Sequence, residues 1–116
     1  MASQNDMGFA TFQASGAISA YIAVKIQSDG TITAAANDTA GIGVTQEDAA
    51  DAGYCNVKLW SAPGTFMVQA SGSAITAATN YGIITGGYVG VVTTARVTAL
   101  VSAVASNGII TEFAKV

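Results

Sequence analysis

The chain has 116 residues with four basic and seven acidic side chains, no histidine and one cysteine, and its formal charge is −3. Charged residues make up 9% of it, against roughly a quarter in ordinary soluble domains, while 51% are hydrophobic and the mean hydropathy is +0.47. These values exclude His-dependent nucleophilic catalysis, His/Cys zinc cages and an internal disulfide, and they leave one core-sized domain whose neutral surface suits packing against other copies or a large partner.

The first residues, 1–12, read as a polar N-terminal arm ending in Phe9 and Phe12, and residues 13–116 as a single β-rich domain. Val24-Lys25-Ile26-Gln27 and Thr31-Ile32-Thr33 alternate apolar and polar around Ser28-Asp29-Gly30, which predicts a hairpin with Gly30 free to take positive φ. Residues 41–46 read as a short strand, and Glu47-Asp48-Ala49-Ala50-Asp51-Ala52-Gly53 as a turn of helix or an acidic loop closed by glycine. Strands follow at 54–60 and 65–70, on either side of Ser61-Ala62-Pro63-Gly64, which holds the chain's one proline. Later strands are expected at 82–85, 88–93 and 95–105, then a turn at Ser106-Asn107-Gly108 and a last strand from Ile109 to Phe113. The fold class is all-β: a compact small barrel or sandwich with hairpins and a flexible N-terminal arm.

Ala14-Ser15-Gly16-Ala17-Ile18-Ser19-Ala20 resembles Ala70-Ser71-Gly72-Ser73-Ala74-Ile75-Thr76-Ala77, and a turn glycine, Gly30 or Gly87, follows each block. Either low-complexity sequence repeats itself by chance, or two related β units share a core.

Chemistry finds little purchase here. Glu47, Asp48 and Asp51 cluster, but carboxylate acid–base work needs burial and shifted pKa values, and the group reads as a solvated loop without the ligand spacing of a calcium site. The glycine-rich segments at 41–43 and 86–90 lack the following helix and lysine of phosphate loops, so they read as turns and bulges. Cys55 reads as a small buried hydrophobe. No metal or cofactor is expected, and no enzyme. Lys25, Lys58, Arg96 and Lys115 are scattered, so direct nucleic-acid binding is not expected. The N-terminus lacks a signal-peptide pattern and residues 97–105 are too short to cross a bilayer, which predicts a chain made in the cytoplasm with no membrane partner. Trp60 with Tyr54, Tyr81 and Tyr88 could form a sugar-binding platform, the reading of a small β-sandwich carbohydrate-binding module.

The run Ser28-Asp29-Gly30-Thr31-Ile32-Thr33-Ala34-Ala35, then Gly41-Ile42-Gly43-Val44-Thr45-Gln46-Glu47-Asp48-Ala49 and Ala52-Gly53-Tyr54-Cys55-Asn56-Val57-Lys58-Leu59-Trp60, resembles small tailed-phage capsid decoration, or cement, proteins. Ala70-Ser71-Gly72-Ser73-Ala74-Ile75-Thr76-Ala77 resembles the segment that follows in that family. The likeness covers about residues 14–115 and departs from the pattern at 78–86, where a glycine-aspartate turn is expected and Thr85-Gly86-Gly87 stands. The resemblance implies a homotrimer on the exterior of an icosahedral virion, bound to the major capsid protein and bracing it against packaged DNA. Phe9, Phe12 and Trp60 are the candidate capsid or subunit contacts. Another self-assembling virion part, such as a fibre piece, is the alternative within the structural class.

Overall fold

The computed structural model describes residues 3–4, 8–36, 41–71, 74–91, 96–103 and 109–115. Its strands are β1 (Ser3–Gln4), β2 (Phe9–Gln13), β3 (Ala23–Ile26), β4 (Ile32–Ala34), β5 (Gly43–Thr45), β6 (Tyr54–Leu59), β7 (Phe66–Ala70), β8 (Asn80–Ile83), β9 (Val89–Gly90), β10 (Val97–Ala99) and β11 (Ile109–Lys115). No helix forms among the described residues. Burial alternates along β2 and β7, which hide Ala10 and Phe12, and Phe66, Val68 and Ala70, respectively. That period of two is what a strand with one face on a core requires.

The strands divide into two halves. The N-terminal half is a six-stranded sheet ordered β1-β2-β6-β5-β3-β4. It curls until Ile32 of β4 forms a parallel bridge with Ala14, just past β2, and the Ser15 N–H donates to the Ile32 carbonyl at 2.8 Å. The C-terminal half is a closed barrel, β10-β11-β7-β9-β8, in which Ala70 pairs in parallel with Val89 and the Ser71 N–H donates to the Val89 carbonyl at 3.1 Å.

Strand for strand these are the same arrangement, with β2, β3, β4, β5 and β6 answering to β7, β8, β9, β10 and β11. The details repeat as well. Ile18 bridges Ala49 as Ile75 bridges Ala103. Tyr21 and Ala78 both take positive φ, at 61° and 66°. In one hairpin Gln27 N–H bonds the Thr31 carbonyl and Gly30 N–H the Gln27 carbonyl; in the other Ile84 bonds Tyr88 and Gly87 bonds Ile84 in the same way. Gly30 and Gly87 close these turns at φ 87° and 80°, a region cheap for glycine alone. The sequence similarity between residues 14–20 and 70–77 therefore marks a structural repeat, and Thr85-Gly86-Gly87 keeps the hairpin of its counterpart.

The halves share their packing. Phe66, Val68, Tyr81, Ile83, Val89, Val97 and Phe113 form a core that takes in Ala23, Val44, Trp60 and Ala62 from the N-terminal half. A second core, with Phe12, Ile18, Val24, Ile32, Cys55 and Val57, is met by Tyr88 from the C-terminal half. Across the junction Ala23 N–H donates to the Gly87 carbonyl at 2.8 Å, Gln69 N–H to the Tyr21 carbonyl at 2.7 Å, and Gln69 Nε2 to the Ala20 carbonyl at 2.7 Å.

Several expectations change. The arm boundary at residue 12 falls inside a strand, because β2 pairs with β6 from Phe9↔Lys58 to Gln13↔Tyr54. Of the two readings of residues 47–53 the acidic loop holds and the helical turn does not: Ala49 exchanges both backbone bonds with Ile18, which fixes the segment as a loop bridged to a strand-like partner. Within the stretch expected as a strand over 88–93 the described residues hold Val89–Gly90, and within 95–105 they hold Val97–Ala99, after which the chain bends at Leu100 and Val101; residues 92–95 and 104–105 lie outside the described residues. The turn expected at 106–108 lies outside the described residues, while β10 and β11 on either side of it pair antiparallel.

Candidate functional site

The acidic loop is built as a tie. Asp48 Oδ1 accepts the Ala20 N–H at 2.7 Å, Asp51 Oδ1 the Gly16 N–H at 2.9 Å, and Glu47 Oε2 the Asn56 N–H at 3.0 Å. Each carboxylate thus satisfies a backbone donor. The C-terminal half does the same with a hydroxyl, as Ser102 Oγ accepts the Ala77 N–H at 2.9 Å. Among the described residues no three potential metal ligands come together, and no pocket is present. No helix among them is long and apolar enough to cross a membrane.

Cys55 is buried, and its thiol donates toward the Glu47 carbonyl at 3.4 Å. Burial pushes its pKa up, and the Glu47 charge adds to the effect. Asp29 goes the other way: the Thr31 hydroxyl and then the Thr31 N–H hold its carboxyl below the usual aspartate value.

The aromatic residues do not form a platform. Trp60 is 9% exposed and its ring lies 4.7 Å from that of Phe66, at the junction of the halves. Tyr81 is buried, its hydroxyl accepting the Thr76 N–H at 2.9 Å and its ring edge-on to Phe113. Tyr88 is half-buried against the N-terminal core, and only Tyr54 stands out, 66% exposed. The sugar-binding arrangement of Trp60 with three tyrosines is therefore not assembled. Among the other candidate contacts, Phe12 belongs to the N-terminal core and Phe9 is half-buried opposite Lys58.

The exposed large apolar side chains lie mostly on the C-terminal half. Met67, Leu100, Val101 and Ile110 are between 43% and 50% exposed, and Val91 is 76% exposed. Register explains the grouping. Met67 stands opposite Glu112 and Gln69 opposite Ile110, so Met67 and Ile110 share one outer face of β7 and β11. Leu100 N–H donates to the Glu112 carbonyl, which brings Leu100 to the same row. Glu112 is held within it by the Thr65 hydroxyl. In the sequence these residues are hidden among core residues such as Phe66 and Val68, and only strand register shows that they point outward.

No family model matches the chain, and no curated protein matches it in sequence. Among solved structures it is similar to the head fiber gp8.5 N base of bacteriophage phi29, at a TM-score of 0.74 and 20% sequence identity. The match covers 93% of this chain and 92% of that one. The fold is shared across both halves.

Proposed function

We propose that this chain is a structural part of a bacteriophage virion, carried on the outside of the head. The observation that carries the reading is the fold shared, over nearly the whole of both chains, with the base of a phage head fibre. Its support from physical chemistry is the outer face around Met67, Leu100 and Ile110 on a chain with 9% charged residues. Such a face buries well against a protein shell.

The partner is the major capsid protein, and the chain acts as a homotrimer that engages several coat subunits at once. Multivalent attachment raises effective concentration, so a modest contact per subunit holds firmly. Bridging neighbours in this way braces the shell against packaged DNA. The role requires no catalysis, metal or cofactor. A second reading is favoured by the structural neighbour's being the base of a head fibre: the chain is the attachment base of such a fibre rather than a shell-wide cement.

Purified protein added to heads that lack it tests the proposal. Saturable co-sedimentation, with heads that survive more heating than bare ones, is the expected result. Binding without added heat resistance would favour the fibre base. No binding would remove the capsid reading.

A further inference from the structure

The junction between the halves joins two different surfaces. The N-terminal half offers the stretch from Ala20 to Ala23, and the C-terminal half covers it with the 84–88 hairpin and Gln69. The contact is close: a Cβ on Gly87 would sit 2.3 Å from the Ala23 carbonyl oxygen. Ala23 is fully buried as a result.

Because the halves repeat one another, each carries a counterpart of the surface that the other uses. In the C-terminal half the counterparts of Ala20, Tyr21 and Ala23 are Ala77, Ala78 and Asn80, and all three are exposed. Val91 lies one step beyond the Gly82↔Gly90 pair toward this stretch, and it is 76% exposed, whereas its counterpart Ala34 is half-buried. In the N-terminal half the counterpart of the covering hairpin is 27–31. It keeps the same two turn bonds and the same positive φ at its glycine, yet nothing lies within 4 Å of where a Cβ on Gly30 would be. One molecule thus exposes the hairpin and the receiving stretch of an interface that it already contains once, while Gln13, the counterpart of Gln69, gives its amide to the Ala52 carbonyl of its own chain.

We propose that these two faces bind each other between copies: the 27–31 hairpin of one chain docks on the Ala77–Asn80 stretch of the next, repeating the internal junction. The Gly30 carbonyl takes the place of that of Gly87 as acceptor, and the Asn80 N–H takes the place of that of Ala23 as donor. Val91 is covered by the arriving hairpin. A contact of this kind is heterologous, so it propagates head to tail and closes into a ring where the rotation allows. The inference stands on the repeat and the junction, and it does not depend on the virion reading.

The test uses two single variants of the full chain, Ser28→Cys on the hairpin and Ala77→Cys on the receiving stretch, with a short bismaleimide as cross-linker. Buried Cys55, its thiol pKa raised, contributes little background. Each variant alone should stay uncross-linked, the mixture should give covalent dimers, and the double variant should give higher oligomers. Cross-linking of the single variants as strong as that of the mixture would show an isologous contact and overturn the proposal. A mixture that yields no dimers, with folded protein confirmed by circular dichroism, would overturn it too. Because purified protein alone is used, this failure is distinct from a failure to bind heads.

Discussion

At equivalent places in the two halves, Gly30 closes a hairpin in open space and Gly87 closes one pressed against the backbone of Ala23. Asp48 ties a loop to Ala20 where Ser102 ties one to Ala77. The outward residues diverge further, since the C-terminal half exposes Met67, Leu100 and Val101 where the N-terminal half has Thr11, Gln46 and Glu47. One backbone plan thus supports two surfaces. The interior obeys the shared plan, and the exterior carries whatever distinguishes the roles of the halves.

Removing a ring that serves both halves should have the largest effect. Phe66→Ala deletes a fully buried side chain whose ring lies tilted against that of Trp60 and is covered by the Lys58 ammonium, 4.7 Å from the ring centroid. A loss of about 3–5 kcal/mol is expected. Because this ring packs with Trp60 and Ala62 of the N-terminal half in one core, Trp60 fluorescence and far-UV circular dichroism should report one coincident unfolding transition. Two separated transitions would show that the halves are independent units.

The paired glycines sharpen the comparison directly. In the single chain Gly30→Ala meets open space, so at concentrations where the protein is monomeric it should cost only the left-handed backbone penalty of about 1–2 kcal/mol. Gly87→Ala adds a collision with Ala23, for a total of about 2–5 kcal/mol. Chemical denaturation of both variants checks the ranking, and equal losses would contradict the asymmetric junction.

The loop ties predict smaller changes. Asp48→Ala and Ser102→Ala should each lose about 1 kcal/mol, with faster amide exchange confined to Ala20 in the first variant and to Ala77 in the second. Asp48→Ser should retain most of the bond, since the C-terminal half already uses a hydroxyl there.

The smallest effect is at the hairpin tips. Asp29 has a lowered pKa in the folded chain, so its contribution is present above the ordinary aspartate value of about 3.9. It is lost as pH falls through the lowered value. An NMR titration should find its carboxyl below that of a Thr31→Val variant. The 84–88 hairpin, with Thr85-Gly86-Gly87 at its tip, has no carboxylate to follow the same titration.

Much of this was legible from local chemistry. Asp29-Gly30 announced its hairpin because turn geometry is set within a few residues, and the recurrence of Ala14-Ser15-Gly16 as Ala70-Ser71-Gly72 announced the repeat. Long-range pairing was not legible. The stretch from Phe9 to Phe12 reads as the end of a polar leader until β6 is seen beside it. The strands either side of Pro63 are consecutive, yet β6 belongs to one half and β7 to the other. Trp60 stayed open between a sugar platform and a capsid or subunit contact, because nothing nearby in the chain foretells Phe66 folding onto it. The apolar outer face was equally hidden, since Met67 between Phe66 and Val68 reads as core until register turns it outward.

The most direct test of the central claim is quantitative mass spectrometry of purified phage particles from the source, normalised to the major capsid protein. Copies on the scale of the shell's symmetry axes are predicted, rising with head number and absent from tail fractions. Complete absence of the chain from the particles would contradict the account.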